Sequence, residues 1–521
     1  MALKLSLLPI DNKADPKPQL DLGAVKAALV VARVGNPVER VRAITDELTR
    51  LNRTKVEPTE RWQLLEEYMA ALSAISPGLD AVYANVSHPM RGPEALAADV
   101  GLASATGLAM GYKRILADIT RMRVGSSTAK IPPSLINRCQ QALARVLAVS
   151  YLSFRPVPAH TWFELHQIYL LARDNGIATT PFPAQTPDAT PEISYIQMLL
   201  LSLANPYGFL PGQLSVALIF LGDYAHLARL SDKPPVHKNA SGLAVVAVSS
   251  DKPPMAARKV DVPERAIALF LHCHDIVFAI NRHIQELESG VAAPSSALAD
   301  SITQTQYMNF VERLLREWGA APQRNEFRSA GDRTVTVCAG MQVVCKAMLE
   351  LETSRRVLRV AERAVYSRTI CSVVNQTDGG FSLRLESGTL DLALRVGEVV
   401  GLLEARQRKV PVGVIRWLRF DGASGQTRFG VEVMSASPEL TRLSLPADDD
   451  DDDDDDREFD AIILPPAMLT DEHSSLLVIP GVLAVDAEAQ LGNGEVAETV
   501  IITRLVEQTL TFERYEFIPV E

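Results

Sequence analysis

A change of hydrophobic period near residue 320 constrains this chain more than any other feature. Upstream, apolar residues recur three and four positions apart, as in helices with one buried stripe. Downstream they fall in short β-branched runs between glycine turns, as in strands. At 521 residues the chain is also too long for one ordinary domain and suggests about two to four. The expected fold class is α+β and multidomain. An N-terminal all-α bundle or solenoid is followed by a C-terminal antiparallel β-barrel and further strands.

The expected helical domain covers residues 22–320, behind an N-terminal arm over 1–21. Thr59 can cap a helix whose Leu64, Leu65, Tyr68, Met69 and Leu72 share a face. Thr161 and Glu164 have capping-box spacing ahead of the stripe Trp162, Leu165, Tyr169 and Ala172. Thr190, followed by Pro191 and Glu192, opens another helix that halts near Asn205 and Pro206. QLSVALIFLGDYAHLARL and PERAIALFLHCHDIVFAINRHIQEL also read as helices. The spacing from Trp162 to Ala172 is similar to a tetratricopeptide helix, although no strict repeat of about 34 residues runs through the region. Two SDKPP segments flank GLAVVAV, so 231–263 reads as a proline-rich insertion around one strand.

From 321 to 445 the runs TVTVCAG, TICSVVNQ, GFSLRLE, EVVGLLEA, PVGVIRWLRF and TRFGVEVM predict a small barrel. One helix, GMQVVCKAMLELETSRRVLRVAERA, is inserted after the first strand. Nine consecutive aspartates, Asp448 to Asp456, make 446–458 an acidic loop, because like charges cannot pack together. The strands of 459–521 either complete the barrel or build a second β unit.

The aspartate run carries most of the formal charge of −11. The rest of the chain is nearly neutral, so no basic excess points to long nucleic acid or an anionic membrane surface. Five scattered cysteines without a CxxC pair fit a reducing compartment. The start has no basic region followed by a long apolar stretch, and no apolar run approaches the roughly 18–20 residues of a membrane span. The expectation is a cytoplasmic protein with no membrane insertion.

Metal and catalytic motifs are weak. His272, His274, Asp275 and His283 fall on one expected helix, where the first two histidines, two apart, face different ways and cannot chelate together. His160 and His166 read as packing residues in an aromatic helix start. The aspartate run lacks the spaced ligands and glycine of a calcium loop. With no GxSxG, HExxH or phosphate-binding glycine loop, no catalytic residue, metal or cofactor is expected, and no enzyme.

The sequence QRNEFR, with Arg324 and Arg328 four apart, precedes the first strand. NQTDGG, Asn375 to Gly380, falls at a strand turn, followed by VGVIRWLR and RFGVEV. Over roughly 322–440 this order resembles the PilZ domain, a bacterial receptor for cyclic di-GMP. The resemblance implies a PilZ-like barrel with Arg324 and Arg328 as a loop clamp. Asn375, Thr377 and Gly380 would form the wall motif, with Thr377 standing where the family usually has Ser. Arg355, Arg356 and Arg359 on the inserted helix are an alternative clamp; the first pair is preferred because it precedes the first strand. An arginine fork suits the O6/N7 edge of guanine, and guanidinium also stacks on bases and pairs with phosphate. Trp417 reads as a barrel core residue. The implied partners are cyclic di-GMP, as ligand rather than cofactor, and a protein meeting the helical region; a homo-oligomer stays open. The competing reading is a helical scaffold whose degenerate barrel binds no nucleotide.

Overall fold

The structure is a computed structural model. It describes residues 3–520 except 12–15, 32–34, 126–129, 183–188, 234–241, 258–267, 292–301, 320–332, 357–367, 378, 386–391, 404–408, 422–423, 446–456, 467–472 and 493–496.

The N-terminal helices are α1 (Leu22–Val31), α2 (Pro37–Arg53), α3 (Pro58–Tyr83), α4 (Gly92–Gly125), α5 (Pro133–Leu152), α6 (Thr161–Asp174), α7 (Pro191–Leu203) and α8 (Gln213–Tyr224). They share one core, with α4 packed against α2, α3 and α5. The α7 start is as expected: the Thr190 hydroxyl accepts from Ile193 N–H. Two other expected caps differ. Helix α3 begins at Pro58 with Glu57 as its cap residue, which puts Thr59 inside the first turn. Thr161 is the first residue of α6, behind His160 at φ 70°, and Glu164 is buried in an ion pair with Lys113 instead of closing a capping box.

A small sheet follows, formed by β1 (Arg229–Ser231), β2 (Leu243–Val246), β3 (Met255–Ala256) and β4 (Leu269–His272) in the order β1-β4-β2-β3. The strand expected in the proline-rich insertion is β2. Strand β4 lies where one continuous helix was expected; among the described residues there, only α9 (His274–Glu288) is helical. A short apolar run such as LFLH has no period long enough to tell helix from strand. Helix α10 (Gln304–Trp318) closes the region, with Thr303 and Gln306 forming a capping box.

The first barrel is built from β5 (Thr334–Ala339), β6 (Thr369–Thr377), β7 (Gly380–Leu385), β8 (Val399–Leu403), β9 (Val412–Asp421) and β10 (Gln426–Ser435), closed in the order β10-β7-β6-β5-β8-β9. Val335, Val337, Val373, Leu383, Ile415, Leu418 and Phe429 fill it. A second closed barrel joins β11 (Glu439–Leu445), β12 (Arg457–Leu464), β13 (Ser475–Val478), β14 (Glu488–Gly492), β15 (Ala497–Gln508) and β16 (Glu513–Pro519). Strands β11 and β12 pair along their length, ending at Leu445 opposite Arg457.

Helix α11 (Met341–Arg356), the insertion after β5, wedges between the barrels. Its Met341, Val344, Cys345 and Met348 share a core with Val412 and Val414 of the first barrel and Ile462, Leu477 and Phe512 of the second. The helical region meets the first barrel through main chain. His88 and Leu394 exchange both backbone hydrogen bonds, at 2.8 and 3.0 Å, and Phe420 N–H donates to Phe154 O at 2.7 Å. All five cysteines are buried and unpaired. Among the described residues no helix is long and apolar enough to cross a membrane.

Candidate ligand site on the first barrel

Side chains opposite one another across a ladder share a face. Register sets Asn375 opposite Ser382, Ser382 opposite Gly430, and Gly430 opposite Trp417. Their ladder neighbours Leu383, Phe429 and Leu418 are buried in the barrel, so this row lies on the outer wall. It spans three strand spacings, about 14 Å. The row's middle members are small, and a Cβ on Gly430 would come within 1.9 Å of Trp417 Nε1. The indole therefore lies over Gly430. Trp417 is half-buried and outside the barrel core, contrary to expectation. A bulge explains this: register slips between Gly430 and Val431, leaving Arg416 as an extra residue and reversing the in/out parity beyond Ile415.

Thr377 lies on the same face as Asn375, opposite Gly380, which in turn faces Glu432. A second bulge, between Val373 and Asn375, precedes them. Gly380 answers to the barrel itself, since a Cβ there would meet the Val431 carbonyl oxygen at 2.4 Å. Glycine lets β7 lie against β10 at that point.

The next outward row was missed in the sequence. Ser372 faces Arg384, Arg384 faces Arg428, and Arg428 faces Arg419, so three guanidinium-bearing positions sit side by side on adjacent strands. Period two in TRFGVEV and in RWLRF carries that signal, because Arg428 alternates with the buried Phe429, and Arg419 with Leu418. The Arg419 guanidinium stacks 4.4 Å from the centroid of Tyr207 in the helical region.

Arg324, Arg328 and Arg359 lie outside the described residues, while Arg355 and Arg356 end α11. The chain enters β5 beside the candidate wall. Val373 N–H donates to Arg333 O at 2.9 Å, and the Arg333 guanidinium sits 5.9 Å from the Phe381 ring centroid, one residue past Gly380. Helix α11 is instead tied by Glu350 to Arg368, which precedes the opposite end of β6. That end is about 26 Å from the Thr377 turn.

His272 ends β4 and His274 begins α9, so the expected divergence on one helix does not apply; their rings lie 6.4 Å apart. With Arg229, Leu230, Ser231 and Asp275 they line a cavity of about 350 Å³. Among the described residues no group of three or more His, Cys, Asp or Glu side chains could hold a metal ion. His166 is buried between the Tyr195 hydroxyl at 2.6 Å and the Lys252 carbonyl at 3.0 Å. A carbonyl only accepts, so Nε2 carries the proton and Nδ1 accepts from Tyr195.

Residues 23–235 match the family model of the N-terminal domain of the cyclic-di-GMP receptor FimW, and residues 346–439 match that of its middle PilZ domain. Together these cover more than half of the chain. The second match contains Asn375, Thr377, Gly380 and Trp417 along with Arg355, Arg356 and Arg359, and it begins after Arg324 and Arg328. The cyclic-di-GMP receptor FimW of Pseudomonas aeruginosa is 21% identical over 472 residues, 78% of this chain and 76% of that protein. A solved structure described as "MrkH, A novel c-di-GMP dependence transcription regulatory factor" aligns over 39% of this chain and 91% of its own, at 9% identity and a TM-score of 0.14. The matched descriptions name a receptor and no enzyme class. The chain belongs to the PilZ-containing cyclic di-GMP receptor family.

Proposed function

We propose that this protein is a cytoplasmic, non-catalytic receptor that binds cyclic di-GMP on the outer wall of its first barrel and passes the signal to a protein partner through its helical region. The carrying observation is the pair of adjacent outward rows, Asn375–Ser382–Gly430–Trp417 and Arg384–Arg428–Arg419. Guanine needs a flat surface and polar edge partners, which Trp417 and Asn375 supply. Phosphates need cations, and the second row sets three arginines side by side on adjacent strands.

Arg324 and Arg328 are the proposed clamp. Arg328 precedes Arg333 by five residues, a reach of at most about 17 Å, and Arg333 stands beside Phe381, one residue past Gly380. Thr377 adds a hydroxyl toward phosphate or a base edge, and Gly380 keeps the turn close to β10. The contact of Arg419 with Tyr207 gives a ligand on the arginine row a direct route to the helical region.

Calorimetric titration of the full chain with cyclic di-GMP tests the reading. Saturable binding that weakens as salt rises is expected. Absence of binding at high ligand concentration and low salt would leave the helical scaffold with a silent barrel as the function.

A further inference from the structure

The N-terminal arm is held by side chains that read its backbone. Lys113 on α4 and Glu164 on α6 pair at 2.6 Å, with only 6% and 3% of their side chains exposed. Ser6 N–H donates to Glu164, and Lys113 Nζ donates to the Ser6 carbonyl at 3.2 Å. One buried ion pair thus satisfies both main-chain groups of a single residue. Arg114 donates to the Leu8 carbonyl, and Asp11 N–H donates to the Arg53 carbonyl at 2.7 Å. Leu3 and Leu5 pack on the helical core from alternate positions, while Lys4 and Ser6 are exposed.

A buried ion pair is a poor means of holding helices together, since apolar residues of similar volume do so as well or better. Lys113 and Glu164 make sense as a donor and acceptor set for an extended main chain. The described residues of the arm belong to no helix or strand, so its departure dismantles no element. The surface beneath it reads an extended backbone together with apolar side chains two residues apart, a recurring mode of peptide recognition.

We propose that this surface is a peptide groove filled in cis by the chain's own arm, and that its partner is an extended protein segment with leucines two residues apart. The inference rests on the reading of the helical region as a protein-interaction surface and is independent of nucleotide binding. A tethered arm competes at an effective concentration of roughly millimolar, so the arm sets a threshold that a partner must exceed.

The test titrates a fluorescent peptide of residues 1–11, MALKLSLLPID, into the full chain and into a chain lacking residues 2–11, read by anisotropy. The truncated chain should bind saturably, and the full chain about tenfold or more weakly. A peptide with serine in place of both Leu3 and Leu5 should bind the truncated chain about tenfold or more weakly. Glu164→Gln in the truncated chain should weaken the native peptide about five- to tenfold. If truncation abolishes the cooperative melt, the full chain carrying Leu3→Asp and Leu5→Asp takes its place. A folded truncated or substituted chain that ignores the peptide overturns the proposal. Cyclic di-GMP titration of the same sample reports the receptor reading separately. A wild-type dimer that separates into monomers on arm removal also overturns it, because the occupant is then the arm of a second copy.

Discussion

The guanidinium of Arg416 meets both carboxylate oxygens of Glu507, tying β9 of the first barrel to β15 of the second. It also holds Glu432 on β10. Burial alone would lower the Arg416 pKa, but Glu507 and Glu432 more than offset it and raise it. The side chain is 40% exposed, so solvent screens the pair. Arg416→Ala should cost about 1 kcal/mol in a urea melt, with Arg416→Lys recovering little of the two-pronged contact. A melt unchanged by the alanine variant would mean that the Arg416 contact adds nothing to the α11 core and the Thr511–Gly397 hydrogen bond that also join the barrels.

Replacing Arg324 or Arg328 with Ala should cost about 1–3 kcal/mol of cyclic di-GMP affinity, a loss of about five- to 150-fold. Lysine should rescue poorly, for want of the planar fork. Asn375→Ala should weaken binding with the barrel still folded, and Thr377→Ser should retain it. The Arg355→Ala, Arg359→Ala double variant should matter less. Calorimetry that finds the reverse order moves the clamp to the inserted helix.

Trp417 gives the site an optical signal. Ligand stacked on the outer row should quench its fluorescence, and Trp417→Phe should remove the change. Gly430→Ala introduces a Cβ that cannot coexist with the indole where it lies. That variant should weaken binding while circular dichroism reports an intact barrel. Full affinity in Gly430→Ala would place the ligand away from this row.

Two buried histidines set an acid limit. Burial pushes His166 down to about 4, partly offset by the Lys252 carbonyl and Asp251. Burial, then Arg155, pushes His88 down to about 3, and neither of its ring nitrogens has a hydrogen-bond partner. At pH 5 both stay neutral in the folded chain but are mostly protonated when it unfolds. Their contribution is therefore complete above about pH 6.5 and falls as pH drops toward 4, by about 1.4 kcal/mol per unit for each. His88→Phe should remove roughly half of that slope. Chemical melts at pH 7, 6 and 5 check both the slope and its reduction.

Much of this architecture is written in local pattern. Thr190 ahead of Pro191 announces α7, and the glycine turns after residue 333 announce antiparallel strands. The misreadings arise where tertiary demands overrule local ones. Glu164 has capping-box spacing, yet Lys113 and the arm claim its carboxylate. LFLH fits a helical stripe as well as a strand until β1 and β2 pair with it. Trp417 would point inward by simple alternation, and a one-residue bulge, invisible in sequence, turns it out. The arginine row depends on register among β7, β9 and β10, which no single segment encodes.

Leu445 and Arg457 are register partners, so the second barrel holds the two ends of the aspartate-bearing segment together whatever lies between them. Doubling the length of such a closure costs only about 0.6 kcal/mol. By that measure the stretch can be lengthened or shortened at little cost in chain closure. For the same reason, a reporter domain spliced between those strand ends should disturb the rest of the chain least.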